Sequence, residues 1–268
     1  MHVEKAIVFA EREGFRALEL DVYRPGESRD GTRPLLVYVH GGGWRLSHRS
    51  RAPRETRAWS RGFFERLTEV GFVVAAPDYR FSDEAHFPAQ LDDTLEAVRW
   101  LHAHAQAPEL GVAPERTYLW GASGGGNLAA LAALAPGAAP VAGVVCWYPV
   151  TDLPALDHDA DDSFEAHLLG GPIGQRLDLA RAASPVTYVH DASPPFLLQH
   201  GENDTWVPHD QSVRLAASLR AAGGSVELEI VPGADHFFAG AADIEAIFER
   251  ARDFLLRLDA GSAVRAAT

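Results

Sequence analysis

A serine between glycines is the first feature of this chain that could carry chemistry. Gly121-Ala-Ser123-Gly-Gly125 fits the pattern G-x-S-x-G and lies between the strand-like run 117–120 and the helix-like run 125–134. A serine on such a strand-to-helix turn presents its hydroxyl group as a nucleophile, and the flanking glycines leave room for the tight turn. The pattern therefore predicts that Ser123 attacks a carbonyl carbon. A glycine-rich turn without chemistry is the alternative.

A second glycine-rich segment, His40-Gly-Gly-Gly-Trp44, follows the β-rich run 35–39 and is called the glycine loop below. Attack on a carbonyl puts negative charge on its oxygen, and successive glycines let backbone N–H groups approach that charge closely. We expect these donors to come from Gly42, Gly43 and Gly124, and we expect His40 to hold the loop in place. A phosphate loop is disfavoured because no Lys-Ser/Thr follows and the spacing is not G-x-G-x-x-G.

The serine hydroxyl needs a base, and the base needs an acid to orient it. His236 follows the predicted strand 226–231 and precedes the last helix, so it is the expected base. Asp204 follows the predicted strand 196–199 and is the expected acid, with Glu202 as the alternative. His200 directly follows the same strand and is expected to be buried in the turn. The separations between the three residues leave room for strand–helix units between them.

The elements that must position these residues alternate along the chain. Two leading strands, 3–9 and 15–23, are followed by strand-like and helix-like runs in alternation, which predicts a mostly parallel sheet with helices on both faces. The expected architecture is one α/β domain over residues 1–268 with about eight strands. Residues 152–184 interrupt the alternation and are interpreted as a small lid or pocket wall, with a plain surface loop as the alternative. The further strands are predicted over 35–39, 72–76, 117–120, 141–147, 196–199 and 226–231, and the helices over 54–70, 88–105, 125–134, 209–222 and 241–258.

Composition narrows the classes of partner. The 268 residues contain 24 basic and 37 acidic side chains, a net charge of −13, which argues against nucleic acid as a partner. No run approaches the roughly 18 apolar residues that cross a bilayer, and the N-terminus lacks a basic segment followed by an apolar one. We therefore expect a cytoplasmic protein without a membrane partner. The single cysteine, Cys146, is expected in the core, and the oligomeric state stays open.

Side chains next to the candidate motifs are expected to line a pocket, to form ion pairs or to face solvent. Four aromatic residues that adjoin these motifs are expected to line a pocket, with core packing as an equal alternative: Trp44, Trp206, Phe237 and Phe238. An ion-pair and turn network behind the glycine loop is expected from Asp78, Arg80 and Asp92. A solvated helix face is expected from the arginines that follow the loop, with an acidic substrate group as the alternative partner: Arg45, Arg49, Arg51, Arg54 and Arg57.

The chain resembles α/β-hydrolases of the branch that contains bifunctional feruloyl and acetyl-xylan esterases, close to the hormone-sensitive-lipase-like esterases. The resemblance covers nearly the whole chain and rests on residues 40–44, 76–80, 87–92, 121–127, 168–171, 183–188, 195–204 and 232–236. It implies a serine hydrolase for small or short-chain acyl esters, with the triad Ser123, Asp204 and His236 and without a metal or organic cofactor. Gly124 stands where alanine is usual, and Asp235 stands where a small residue is common.

Two other functions fit the same residues. An amide or formamide hydrolase that resembles kynurenine formamidase would have the same glycine loop. A non-catalytic ligand receptor on the same fold is a further alternative, although such receptors often lose a member of the triad.

Overall fold

Eight strands form one twisted sheet in the computed structural model, which describes residues 1–26, 31–107, 110–157 and 160–266. The strand order is β1-β2-β4-β3-β5-β6-β7-β8. The first two strands are antiparallel to their neighbours at one edge, and all other pairs are parallel. The bounds are His2–Ala10 (β1), Leu18–Arg24 (β2), Arg33–Val39 (β3), Val73–Pro77 (β4), Val112–Ala122 (β5), Gly143–Trp147 (β6), Phe196–Gly201 (β7) and Val226–Val231 (β8). The expected α/β-hydrolase architecture is confirmed.

Helices cover both faces of the sheet. The bounds are Phe63–Glu69 (α1), Ala89–Ala103 (α2), Gly124–Leu134 (α3), Phe164–Leu169 (α4), Leu177–Ala182 (α5), Asp210–Ala221 (α6) and Ile244–Ala266 (α7). Buried side chains of α2, α3 and α6 belong to one core cluster, and those of α1 and α7 belong to a second cluster on the opposite face. The sheet is therefore buried between two apolar layers, as doubly covered parallel sheets require.

Strand β3 shows why the central strands read as continuous apolar runs. Leu35, Val37 and Val39 lie in the first core cluster, whereas Leu36 and Tyr38 lie in the second. Successive side chains of a strand point to opposite faces, so a strand buried on both faces must be apolar at every position. The glycine loop follows the carboxyl end of β3 and therefore lies at the edge of the sheet where β5, β7 and β8 also end.

The helix predicted over residues 54–70 is wrong in its first half. The structure has a short 3₁₀ turn at Arg54–Thr56, and the α-helix begins only at Phe63. Gly62 has extended backbone angles and is the N-cap of α1, with its N–H bonded to the Glu65 carboxylate. Because the backbone of Gly62 lies outside the helical region of φ and ψ, no helix can run through it. The helix therefore starts after Gly62, and the apolar spacing before this residue does not form an α-helix.

Residues 152–184 follow β6 and contain the two short helices α4 and α5. Two 3₁₀ turns, Leu153–Ala155 and Ile173–Gln175, accompany them, and residues 158–159 lie outside the described part of the chain. The N–H of Phe87 donates to the carbonyl oxygen of Leu168 at 2.8 Å. This hydrogen bond joins α4 to the segment that leads into α2.

Arg49 corrects the interpretation of the arginine run as a solvated helix face. Its side chain is buried and donates to Glu19, Asp21 and Asp78 at 2.7–2.9 Å. Three carboxylates from β2 and the end of β4 compensate the buried guanidinium, and this makes the arrangement possible in the interior. The segment that carries Arg49 is not helical.

The prediction that Asp92 belongs to the ion-pair network with Asp78 and Arg80 is wrong. Arg80 forms a two-pronged pair with Asp93, with distances of 2.7 and 2.9 Å, while Asp92 is exposed. Adjacent residues on an α-helix point about 100° apart, so Asp93 on α2 faces inward and its neighbour faces solvent. The ion-pair network exists, but one position along the helix from where it was expected.

Within the described ranges, no helix combines the length and the apolar character needed to cross a lipid bilayer. Cys146 lies on β6 in the core, as expected, and its Sγ contacts the carbonyl oxygen of Gly126 at 3.4 Å. Burial raises the pKa of this thiol well above its ordinary value, so it is a packing group.

Candidate active site

Ser123 lies at the turn between β5 and α3 with φ 56° and ψ −126°. Positive φ is uncommon for a residue with a side chain and marks the strained turn of a nucleophile elbow. The Ser123 N–H donates to the Trp147 carbonyl oxygen at 2.9 Å, which ties the turn to β6. A methyl group on Gly121 would lie 2.7 Å from the nitrogen of Gly126, so the turn requires glycine there.

His236 connects the serine to a carboxylate. Its Nε2 lies 3.0 Å from Ser123 Oγ, and its Nδ1 lies 2.6 Å from Asp204 Oδ2. The carboxylate can only accept, so we assign the proton to Nδ1, which leaves Nε2 free to accept from the serine hydroxyl. His236 and Asp204 are both buried. The geometry is that of a base poised to take the serine proton.

Asp204 is held as an anion by four donors. Oδ1 accepts from the N–H groups of Trp206 and Val207 at 2.9 Å each, and Oδ2 accepts from His236 and, at 3.1 Å, from His200. Burial alone would raise the pKa of Asp204, but the hydrogen bonds from His200 and His236 hold it well below its usual range. The alternative acid, Glu202, instead accepts from the N–H of Gly233.

His200 is buried in the turn, as expected, and also contacts the acid, which sequence reasoning missed. Its Nε2 lies 3.1 Å from Asp204 Oδ2 and 2.8 Å from the Val207 carbonyl oxygen, so Nε2 carries a proton. Its Nδ1 lies 2.7 Å from Ser212 Oγ and accepts from that hydroxyl. Burial lowers the pKa of His200, in keeping with a neutral ring that holds the carboxylate. Only its chain position, four residues before Asp204, hinted at this contact.

The hydrogen bonds within the glycine loop leave backbone N–H groups free to bind a substrate oxygen. The Gly42 carbonyl oxygen accepts from Arg45 and Leu46, at 3.1 and 2.9 Å. Because the N–H and C=O of a trans peptide point in opposite directions, the Gly43 N–H points away from that turn. Gly42 and Gly43 have φ 117° and 59°, which glycine adopts without strain. Among the described residues, neither N–H has a hydrogen-bond partner.

Trp44 does not line a pocket. Its indole is 1 % exposed, and its Nε1 donates to Asn127 Oδ1 at 3.2 Å. A methyl group on Gly124 would lie 3.2 Å from Cε2 of this indole and 3.1 Å from the Trp44 nitrogen. A side chain at Gly124 would therefore press against the indole. As the first residue of α3, Gly124 has an N–H without an intrahelical partner.

His40 is buried beneath the glycine loop. Its Nδ1 lies 2.9 Å from the Gly41 carbonyl oxygen, and its ring stacks on Tyr79 with centroids 4.5 Å apart. Burial lowers the pKa of His40 to about 4, so the ring is neutral near pH 7. These contacts agree with a residue that holds the loop.

Aromatic side chains surround the His236 ring. Trp206 stacks on it at 5.5 Å and is 57 % exposed, while Phe237 is half-buried with its ring 5.0 Å from that of His236. Phe238, a second expected pocket residue, is instead fully buried in the core. Trp206 and Phe237 thus offer apolar surface beside the base. Asp235 accepts from the N–H of Phe237 and shapes the turn that presents these rings.

Within the described ranges, no group of three or more His, Cys, Asp or Glu side chains is arranged to hold a metal ion.

The sequence similarity of the chain to a known family agrees with this arrangement of Ser123, His236 and Asp204. Residues 20–219 match the BD-FAE family, a span that begins within β2, ends within α6 and includes Ser123 and Asp204. The chain belongs to the BD-FAE family. Its fold is that of an α/β-hydrolase.

Named relatives of this BD-FAE member are similar to it along most of its length. It is 31 % identical to esterase LipQ of Mycobacterium tuberculosis over 260 residues, which cover 90 % of this chain and 60 % of LipQ. It is 32 % identical to carboxylesterase NlhH of the same organism, over 86 % of this chain and 74 % of NlhH. Esterase 2 of Thermogutta terrifontis with bound butyrate superposes with a TM-score of 0.74 at 28 % identity, over 96 % of this chain and 94 % of that one.

No sequence pattern predicted two further residues near the base, Tyr148 and Glu55. Tyr148 has φ 39° and is buried with its ring 4.6 Å from that of His236. Its hydroxyl donates to Glu55 Oε1 at 2.5 Å. Burial raises the pKa of Glu55 to about 7, against the opposing effect of this hydrogen bond. A buried carboxyl group therefore lies one residue away from contact with the base.

Proposed function

We propose that this chain hydrolyses carboxylic esters with small or short-chain acyl groups through an acyl-enzyme intermediate on Ser123. The observation that carries the proposal is the hydrogen-bonded series Asp204–His236–Ser123, with distances of 2.6 and 3.0 Å. A serine hydroxyl is a weak nucleophile at neutral pH and needs a base within hydrogen-bonding distance. His236 Nε2 meets that requirement, and Asp204 orients the ring.

The reaction follows from these contacts. His236 Nε2 takes the proton as Ser123 Oγ attacks the ester carbonyl carbon, and the bond to the alcohol oxygen breaks as His236 returns the proton to it. Water then attacks the acyl-enzyme by the same route and releases the acid. Asp204 keeps a proton on Nδ1 and stabilises the imidazolium that forms between the two transfers.

The oxyanion is bound by the backbone N–H groups of Gly42, Gly43 and Gly124. The first two have no other partner among the described residues, and the third begins α3. Each such donor contributes roughly 10²- to 10³-fold to the rate of related enzymes. The Trp44 indole packs against Gly124 and so supports this arrangement of donors.

The substrate is a small-molecule ester. His236 protonates the leaving alcohol, so that alcohol departs beside the exposed Trp206 and the half-buried Phe237, whose rings suit an apolar or aromatic group. Thermogutta terrifontis esterase 2 has been described with propionate and with butyrate bound, which supports a short acyl group here.

Residues 1–268 act as one domain, and 152–184 form a lid or pocket wall above the site. Support comes from the single sheet that runs through the chain and from the contact of α4 with the segment before α2. The cytoplasmic location stays a prediction, which fractionation of the producing cell would test.

The proposal is tested with p-nitrophenyl esters from acetate to octanoate, together with the ferulate ester. We expect turnover by the wild type, a loss of about 10⁴-fold or more in Ser123→Ala, and no change in the exposed-serine control Ser60→Ala. Paraoxon, which phosphorylates the Thermogutta esterase, is expected to transfer its diethylphosphoryl group to Ser123 Oγ as p-nitrophenol leaves. The mass of that group is expected on the Ser123 peptide only. A folded wild type that turns over formamides or anilides but no ester would refute ester hydrolysis, and failure of all substrates and of labelling would refute catalysis.

A further inference from the structure

The ring of Phe164 lies directly against the glycine loop. Phe164 is the first residue of α4 and is 39 % exposed. A methyl group built on Gly43 would lie 2.7 Å from Cγ and 2.8 Å from Cε1 of this ring, so the ring occupies the space beside the Gly43 α-carbon. A carbonyl oxygen bound to the Gly43 N–H would therefore have this ring as its neighbour.

Three polar side chains hold α4 in this position. Arg45, the first residue after the glycine loop, donates from Nε to Asp83 Oδ2 at 2.7 Å and from Nη1 to His167 Nε2 at 3.1 Å. His167, on α4, closes the triangle through Nδ1, which lies 3.3 Å from Asp83 Oδ1. These three residues, called the clasp here, connect the loop to the helix that carries Phe164 and fix the ring relative to Gly43.

The strand order assigns Phe164 to the acyl side of the substrate. Ser123 follows β5, the glycine loop follows the neighbouring β3, and His236 follows β8 on the other side of β5. The leaving alcohol must lie at His236, which returns the proton to it. Phe164 stands on the opposite, β3 side of Ser123 and against Gly43. Its ring is therefore away from the leaving alcohol and on the side that is left to the acyl group.

We propose that Phe164 is a specificity-determining residue that contacts the acyl group and limits its length. The inference rests on the ester hydrolysis proposed above and goes beyond it, because it assigns the acyl limit to one side chain of the 152–184 segment. A pocket discriminates by about 10- to 200-fold for each methylene group that it accepts or excludes. A ring that blocks the pocket beyond a short chain therefore sets a steep limit.

The test varies the acyl chain at constant leaving group. The ratio of kcat/KM for p-nitrophenyl octanoate to that for p-nitrophenyl butyrate is expected to rise by about tenfold or more in Phe164→Ala and to fall in Phe164→Trp. Asp83→Asn, which opens the clasp, is expected to shift the ratio in the same direction as Phe164→Ala by a smaller factor. Leu177→Ala, a change at an exposed residue of α5 in the same segment, is the matched control and is expected to leave the ratio within about twofold.

A second series varies the alcohol at constant acetyl group, with ethyl, benzyl and p-nitrophenyl acetates. The ratios among these acetates are expected to be the same in Phe164→Ala and in the wild type. A changed alcohol profile with an unchanged acyl profile would overturn the proposal, as would identical acyl profiles in both proteins. If the folded wild type turns over no ester in either series, the proposed function itself fails, and that result is distinct from an active enzyme with an unaltered chain-length limit.

Discussion

The carboxyl group of Glu55 offers a quantitative test of the packing around the base. Oε1 accepts from the Tyr148 hydroxyl at 2.5 Å, whereas Oε2 is buried and has no partner among the described residues. Burial raises the pKa of this group from 4.5 to about 7, Arg57 opposes the rise, and Asp235 adds to it. The folded protein therefore holds a proton on Glu55 over a pH range in which the unfolded chain has released it.

The sign and size of the effect on stability follow from this difference. Because the pKa of Glu55 is raised in the folded state, the protonated carboxyl group contributes to the free energy of unfolding. This contribution is fully present below pH 4.5 and is lost as the pH rises through 7. A rise of about 2.5 units at 1.36 kcal/mol per unit corresponds to about 3 kcal/mol, of which about 2.5 kcal/mol falls between pH 5 and pH 8. Glu55→Gln keeps an acceptor for Tyr148 but removes the titration.

The expected result is a pH-dependent gain in stability for Glu55→Gln. Measured by urea unfolding, the difference in unfolding free energy between variant and wild type should rise by about 2.5 kcal/mol from pH 5 to pH 8. The cost of burying the amide nitrogen without a partner adds a constant and leaves this slope unchanged. Glu249→Gln, at an exposed position on α7, controls for the loss of one negative charge. A difference that stays constant between pH 5 and pH 8 would refute the reasoning.

Two further predictions concern the site. Asp204→Asn should lower kcat by about 10⁴-fold in steady-state ester kinetics with circular dichroism unchanged, because the amide favours the wrong tautomer of His236; a loss below tenfold would contradict the assigned role. Gly124→Ala should lower the free energy of unfolding by about 1–3 kcal/mol in urea titrations, because its methyl group meets the Trp44 indole 3.2 Å away. Trp44→Phe should recover part of that loss in the double variant, and strict additivity of the two changes would count against the contact.

Local patterns were enough to predict the fold and the three candidate catalytic residues. Apolar runs such as that of β3, and glycines at strand ends, depend on a few neighbouring residues, so they can be read from the chain alone. The order Ser123, Asp204, His236 along alternating strands and helices indicated which ends of the sheet must meet. The structure brings these three side chains within hydrogen-bonding distance.

Predictions failed where a side chain has its partners in distant segments. Trp44 was expected at a pocket and is buried, because Asn127 and Gly124 of α3 pack over it. Arg49 was expected in solvent and is buried, because carboxylates of β2 and β4 surround it. In both cases the residue type allowed either outcome, and only the packing of separate elements decided.

The α/β-hydrolase architecture could be predicted from the amino-acid sequence, as could the nucleophile turn and the loop that faces it, since each depends on local backbone requirements. Tertiary structure alone decided that Tyr148 and Glu55 lie behind the base and that His200 braces Asp204. It also decided that Phe164 covers Gly43. The physical reason is that burial, hydrogen-bond partners and the resulting pKa shifts are properties of which segments meet, and residues far apart in the chain meet only when the sheet has assembled.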